Sequence, residues 1–378
     1  MKYLVGIIIS MLTLTTQAQN TFKIIITALP ASPATDVVYL TGNFNGWNPR
    51  DENFRLQKNE TGVFVIEINN IDAASYEFKF TRGSWDKDET DGKGNDLPNR
   101  KVTINTDTLL NVSIVGWKDG FAHKPKLSTA SAQVTIIDTA FAIPQLNRTR
   151  RIWVYLPKGY KTSRKKYPVL YMHDGQNLFD NATSFAGEWG IDEAMDSIKN
   201  ACIVVGIDNG GIKRMNEYNP NTTKQFGKGE GKEYLAFIVK NLKPFIDKKY
   251  RTLPGKLHTY MAGSSMGGLI SFYAGLYYPQ VFGALGIFSP SFWIAPQLKT
   301  QVKQFVKKSQ HGYQKYYFYA GAAEGKEMAP DMQAVADEIK KLANPKIITV
   351  INPQGKHNET TWSAVFPVFY KFLVQKNS

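Results

Sequence analysis

The 378-residue sequence contains a single cysteine, Cys202, so it has neither an intramolecular disulfide nor a cysteine-rich metal cluster. Histidine is scarce as well: only His123, His173, His258, His311 and His357 can supply an imidazole. The apolar run over residues 4–14 has 11 residues, where a bilayer-spanning helix needs about 20. With 43% hydrophobic and 21% charged residues, the composition excludes disordered, collagen-like and coiled-coil chains. A globular protein of about two domains is left.

The short apolar run has a different use. Lys2 precedes it and Thr16-Gln17-Ala18 closes it with small residues at the positions a signal peptidase reads. Residues 1–18 are therefore expected to be an export signal, and no cysteine near the cleavage point offers a lipid anchor. The protein is expected to be periplasmic or secreted.

Acidic residues are too few to balance the basic ones, and the formal net charge is +14. The imbalance is uneven: residues 20–118 hold 11 Lys/Arg and 13 Asp/Glu, whereas residues 119–378 hold 34 and 19. A basic half can mean a polyanionic partner. The clusters, among them Arg148-Arg150-Arg151, Arg164-Lys165-Lys166 and Lys248-Lys249-Arg251, are short and scattered, and none lies in a nucleic-acid motif. They are expected to be solvated surface, with no nucleic-acid partner.

The pattern changes where the charge does. From Phe22 to Trp117, short apolar-aromatic runs (FKIIITAL, VVYLTG, GVFVIEI, YEFKFT, RKVTI, LLNVSIVG) alternate with turn-rich stretches such as Asn45-Gly46 and Asp91-Gly92-Lys93-Gly94. This spacing predicts a small all-β sandwich over 19–118, followed by a Ser/Thr/Pro/Ala linker over 119–133. From Val134 onward, compact apolar runs (YPVLYMHD, ACIVVGID, LHTYMAG, ALGIFSP, KYYFYAG, KIITVINP) alternate with helical segments, including 233–249 and 331–342. That predicts a doubly wound α/β domain over 134–378 with a mostly parallel sheet, whose functional loops follow the carboxyl ends of the strands.

One such loop carries the strongest chemical signal. Gly263-Ser264-Ser265-Met266-Gly267 fits G-x-S-x-G, entered by the strand-like LHTYMAG and left by the helical LISFYAGLYY. This is the context of an α/β-hydrolase nucleophile elbow, in which small residues flank a serine held in a strained turn. The base and the orienting acid follow in the order Ser, acid, His. Only His311 and His357 follow Ser265, and no Asp or Glu occurs from Met266 to Ala323. His311 would therefore precede every available acid, which leaves His357 as base. Glu324, just after KYYFYAG, is the preferred acid, with Glu327 and Asp331 as rivals and Asp331 also able to cap the following helix. The oxyanion hole is expected from the Met266 N–H together with Gln176 in the loop after YPVLYM. His173 and Asp174, in the same loop, are expected to act structurally, and Asp174 is also a candidate at the substrate pocket.

Residues from about 134 to 378 resemble the putative-esterase group of α/β-hydrolases through MHDGQNLFD, VVGIDNG with NEYNP, AGSSMGGL, FSPSFW, YAGAAEG and KHNETTW. That group includes feruloyl and acetyl-xylan esterases, S-formylglutathione hydrolase and siderophore trilactone esterases. The resemblance implies Ser265 as nucleophile, Glu324 as acid and His357 as base, with Ser291, Phe292 and Trp293 near the pocket mouth and Trp293 contacting substrate. It implies no metal and no organic cofactor. Residues from about 36 to 117 resemble starch- or glycogen-binding domains through VVYLTGNFNGWNP, YEFKFTRGSW and LPNRKVTI. There the resemblance implies sugar stacking on Trp47 and hydrogen bonds from Lys79 and Asn99. Where the family has a second tryptophan close before Asn-Arg, this sequence has GNDLPNR, so Trp85 would serve from further away. The functions left open are an exported carbohydrate esterase acting on feruloyl or acetyl groups, a siderophore esterase, and a non-enzymatic sugar-binding protein.

Overall fold

Alternation of apolar and polar residues builds the first part of the chain. The computed structural model describes residues 20–375, apart from 32, 123–125, 186, 200, 224–226, 309–313 and 343–344. The expected export signal, His123 and His311 thus lie outside the described residues. The chain divides into two compact units, 1–123 and 124–378.

The first unit contains β1 (Asn20–Ala28), β2 (Tyr39–Gly42), β3 (Gln57–Lys58), β4 (Phe64–Ile71), β5 (Ala74–Thr81), β6 (Glu89–Thr90), β7 (Arg100–Ile104), β8 (Thr108–Ser113) and β9 (Gly116–Trp117). One sheet runs β3-β4-β1-β8 and a second β2-β5-β7, with β6 and β9 as a short pair. On β1 the side chains of Phe22, Ile24 and Ile26 are buried while Lys23 between them meets Glu67 of β4 at the surface. Their buried face packs on Leu40, Phe78 and Phe80 of the other sheet, the Phe22 and Phe78 rings lying 6.1 Å apart. A period of two thus becomes a two-layer core.

The second unit adds β10 (Val134–Ile143), β11 (Arg148–Tyr155), β12 (Val169–His173), β13 (Ile203–Ile207), β14 (Thr259–Ser264), β15 (Ala284–Phe288), β16 (Lys315–Gly321) and β17 (Lys346–Asn352) in one sheet of order β10-β11-β13-β12-β14-β15-β16-β17. β10 and β11 are antiparallel to their neighbours, and the other contacts are parallel. The central strands are buried along their whole length, as parallel strands covered on both faces must be. Successive side chains feed opposite layers. Tyr171, Val205, Met261 and Ile287 join one apolar cluster, and Met172, Val204, Ala262 and Phe288 the other. The order reverses between β12 and β14, so a crevice opens at their carboxyl ends. The expected helix over 233–249 begins at Gly231 and is interrupted by a π turn, Ile238–Leu242. Pro244, two residues beyond the end of that turn, has no N–H to continue the regular ladder. The later helix is Met328–Ile339, three residues earlier than 331–342. Among the described residues no helix is long and apolar enough to cross a membrane.

The last helix, Glu359–Val374, closes one layer by laying Phe369 against Phe288 and Tyr317, over the space left by Gly286. Phe369→Ala is expected to cost about 3–5 kcal/mol in urea unfolding. A loss below about 1 kcal/mol would mean that this ring does not seal the layer.

Candidate active site

Ser265 stands where β14 ends and the helix Met266–Tyr277 begins, with φ 59° and ψ −122°. No L-residue prefers this conformation, and such strain is held only where the surroundings impose it. Here the Ser265 N–H donates to Phe288 O of β15 at 2.9 Å. A Cβ at Gly263 would lie 2.8 Å from the Gly267 backbone, and one at Gly268 2.7 Å from Phe288 O. The small residues thus let strand, helix and neighbouring strand close on the turn. Within 263–267, Ser265 is the one residue that is only partly buried, the other four being buried.

β16 and β17 deliver the other two groups. Glu324 ends the short turn Ala322–Glu324 after β16, and His357 lies between β17 and the last helix. Ala323 N–H donates to Gly355 O at 3.2 Å, and a Cβ at Gly321 would lie 2.2 Å from that oxygen. A glycine at 321 therefore allows the two loops to meet. His357 Nδ1 lies 2.7 Å from Glu324 Oε2, the glutamate side chain being 0% and the imidazole 38% exposed. Glu324 Oε1 accepts from Ser289 Oγ at 2.7 Å and Gly321 N–H at 2.6 Å. With Nδ1–H given to the carboxylate, Nε2 is the basic nitrogen. Of the rival acids, Asp331 pairs with Lys299 at 3.5 Å and Glu327 precedes the helix Met328–Ile339. Asp331 caps nothing, because it lies inside that helix.

The Ser265 hydroxyl is hydrogen-bonded to Ser291 Oγ at 3.2 Å, and no hydrogen bond joins it to His357. Such contacts are commonly loose before substrate binds. For the oxyanion hole, Met266 opens a helix and so carries an N–H without an intrahelical acceptor. Gln176 lies in the turn Gly175–Asn177 after β12, the strand next to β14. Its side-chain Oε1 accepts from Asn209 N–H at 3.2 Å, so its main-chain N–H is the candidate donor. The two loops touch: a Cβ on Gly267 would lie 3.3 Å from both Asp174 Oδ2 and His173 Cβ.

Asp174 is a brace rather than a group free for substrate. Both carboxylate oxygens are taken, by Arg214 Nε (2.7 Å) and its terminal nitrogen (2.8 Å) and by Asn209 Nδ2 (2.8 Å). Burial works against its charge, but Arg214 and Asn209 outweigh it and hold the carboxyl below the usual range. His173 is buried with Nδ1 on Tyr234 Oη at 2.9 Å, and burial pushes its pKa down to about 3, so it is neutral. Trp293, on the turn Phe292–Ile294, is 42% exposed.

Three residues at the site escaped the motif reading. Ser289 has φ 42° and links two partners, donating to Glu324 and accepting from Trp362 Nε1 at 2.9 Å. Trp362 meets the His357 ring edge-on at 5.0 Å and stacks on Trp189 at 5.6 Å. Glu359 accepts from Asn177 Nδ2 at 3.2 Å, tying the last helix to the Gln176 turn. Burial, reinforced by the charge of Asp174, pushes its carboxyl up to about 7 against its own N–H, His357 and Arg214. FSPSFW and KHNETTW contain all three.

In the first unit Trp47 and Trp85 lie side by side, ring centroids 6.3 Å apart and both half-buried. Trp47 follows the Asn45-Gly46 turn with φ 61°. Lys79 does not face outward as expected. Its ammonium is turned inside on buried Asp88 at 3.4 Å, while Asn99 Nδ2 donates to Glu77 Oε2 at 3.0 Å. Among the described residues no group of three His, Cys, Asp or Glu is arranged to hold a metal.

A strained elbow serine at the reversal point of a mostly parallel sheet, preceded by a β-rich unit, defines an α/β-hydrolase. The family described as "Putative esterase" matches residues 143–373, more than half of the chain, and the chain belongs to that family, which makes it a carboxylic ester hydrolase. It is 31% identical over 156 residues to an endo-1,4-beta-xylanase/feruloyl esterase of Xylanibacter ruminicola, covering 39% of this chain and 20% of the relative. It is 30% identical over 165 residues to an iron(III) enterobactin esterase of Dickeya dadantii, covering 43% and 34%. A 101-residue match, 36% identical, links it to an alpha-amylase of Niallia circulans, covering 26% and 8%. The chain therefore spans about a third or less of each of these three relatives. An enterobactin esterase structure from Shigella flexneri shares the fold with a TM-score of 0.51 at 15% identity, over 95% of this chain and 94% of that one.

Ser289→Ala removes one donor from a buried carboxylate, worth about 1.5–3 kcal/mol. On a soluble ester, kcat is expected to fall about 10- to 100-fold with KM little changed, and an unchanged kcat would remove Ser289 from the site's support. Glu359 provides a second test. Its folded pKa exceeds the ordinary 4.5, so its contribution to stability is full below that value and is lost as pH rises through about 7. The Tm difference between Glu359→Gln and wild type should move in the variant's favour between about pH 4.5 and 8, whereas a flat difference would mean that Glu359 ionises at no cost.

Proposed function

We propose that the chain is an exported serine esterase that removes feruloyl or acetyl groups from plant-type polysaccharide through Ser265, His357 and Glu324. The observation that carries this reading is the 2.7 Å contact between His357 Nδ1 and a wholly buried Glu324 beside an elbow serine. Neutral His357 takes the Ser265 proton at Nε2 as Oγ attacks the ester carbonyl, and Glu324 stabilises the imidazolium. The oxyanion is held by the Met266 and Gln176 N–H groups, each worth about 2.7–4 kcal/mol in comparable sites. His357 returns the proton to the departing alkoxide, and water then hydrolyses the acyl-enzyme by the same steps.

The carbohydrate assignment is supported by the relative named endo-1,4-beta-xylanase/feruloyl esterase. It is also supported by the paired Trp47 and Trp85 rings, a surface on which a sugar can stack, and by the 101-residue match to an alpha-amylase. Trp47 and Trp85, together with Asn99, make up the proposed glycan site of the first unit. Export rests on the first 18 residues. A second reading, a siderophore trilactone esterase, is favoured by the iron(III) enterobactin esterase relative and by a basic catalytic half that suits an anionic ferric complex.

Methyl ferulate, acetylated xylan and a ferric trilactone siderophore, offered side by side to wild type and Ser265→Ala, test both readings. Release from ferulate or xylan is expected, and Ser265→Ala should reduce it to near the uncatalysed rate with the fold intact. Turnover that survives the substitution overturns the triad. Cleavage of the siderophore alone selects the second reading.

A further inference from the structure

The carboxyl ends of the strands hold Ser265, Glu324 and His357, and the opposite ends of the same sheet hold a second concavity. It is an open depression of about 1090 Å³ lined by residues that precede or begin strands, among them Tyr167 before β12, Tyr260 on β14, Ala284 on β15 and Lys315 on β16. That is slightly more than small-ligand pockets usually have, roughly 300–1,000 Å³.

Its charge is one-sided. Among the described residues, Lys158, Lys165, Lys166, Lys199 and Lys315 line it against a single carboxylate, Asp196. Two of the lysines are already engaged. Lys158 faces Asp196 at 3.5 Å, and the buried Lys315 ammonium is held by the carbonyl oxygens of Phe372 (3.3 Å), Leu373 (2.9 Å) and Gln375 (2.6 Å). Lys165, Lys166 and Lys199 are exposed and form no ion pair among the described residues. The lining between them mixes polar side chains such as Ser163, His258 and Gln375 with apolar ones: Leu257 is 55% and Val374 39% exposed, and Tyr167 is half-buried. Leu257 and Val374 thus offer apolar contact within the same depression as the three exposed lysines. A concave site with one sign of charge and low-dielectric walls concentrates the opposite charge.

We infer that this depression is a second binding site, for a polysaccharide chain bearing uronic-acid carboxylates. A pyranose ring has an apolar C–H face to set on Leu257, Val374 and Tyr167, and its carboxylates reach Lys165, Lys166 and Lys199. The open shape suits several sugars of a chain, whereas a flat anionic membrane could not follow its concave floor. The choice of a polysaccharide rests on the carbohydrate-esterase reading above. The site lies at the end of the sheet away from Ser265, so it holds the polymer without occupying the place of the ester.

The test is affinity electrophoresis of the full chain in gels containing polygalacturonate or neutral arabinoxylan, with phosphatidylserine vesicles in a parallel sedimentation assay. Retardation by polygalacturonate is expected to weaken as salt is raised. It should fall at least about fivefold in a triple variant carrying Lys165→Ser, Lys166→Ser and Lys199→Ser, with methyl ferulate turnover unchanged. A control carrying Lys240→Ser, Lys248→Ser and Lys303→Ser removes the same charge from exposed helix positions elsewhere and should keep its retardation. Equal loss in both variants, no loss in the first, or sedimentation with vesicles without retardation by polygalacturonate overturns the site. A failure to hydrolyse ferulate or xylan bears on the catalytic reading alone, since the gel measures binding without turnover.

Discussion

Glu324 has a carboxylate with none of its side chain exposed to water, and a buried charge persists only where donors surround it. Three surround this one: the imidazole of His357, the hydroxyl of Ser289 and the N–H of Gly321. Each donor imposes something further on the chain. Gly321 must lack a side chain for the 355 loop to approach. Ser289 must hold a left-handed backbone conformation and meet Trp362. His357 must stand between the last strand and the last helix, where the ring of Trp362 abuts it. Much of the architecture beyond β15 can be understood as what it takes to keep one buried carboxylate hydrogen-bonded and aimed.

The other side of the crevice is held by charge as well. Arg214 and Asp174 join the loops after β12 and β13, and further out Arg148 and Arg150 converge on Glu217, whose side chain is wholly buried. Buried ion pairs of this kind add little net stability, because desolvation offsets their attraction. Their effect is positional: removing either partner would strand the other charge. The loops beside the elbow serine are thus fixed by pairs that tolerate no loss, while the strands beneath them are fixed by packing.

The elbow serine, Ser265, was legible in the sequence because the turn compresses its geometric demand into five consecutive residues. His357 could be reached by elimination, helped by the scarcity of histidine and the absence of acid between Met266 and Ala323. Those arguments work along the chain, and they fail where a role is made by contact between distant segments. Ser289, Trp362 and Glu359 lay inside recognised motifs, yet their partners are 35, 73 and 182 residues away. Trp47 and Trp85, read together from the sequence, do lie side by side. The same limit hid the inward turn of Lys79, which depends on Asp88 being buried beside it. The π turn ahead of Pro244 was missed because an apolar period of 3.6 continues through it.

Cys202 is fully buried, and burial pushes its thiol up to about 12. It is neither ionised nor reachable under ordinary conditions, and no second thiol competes with one introduced by design. A cysteine placed at Trp293 or at Lys166 would therefore be a unique chemical handle. A fluorophore could then report separately from either end of the sheet without any native residue first being removed.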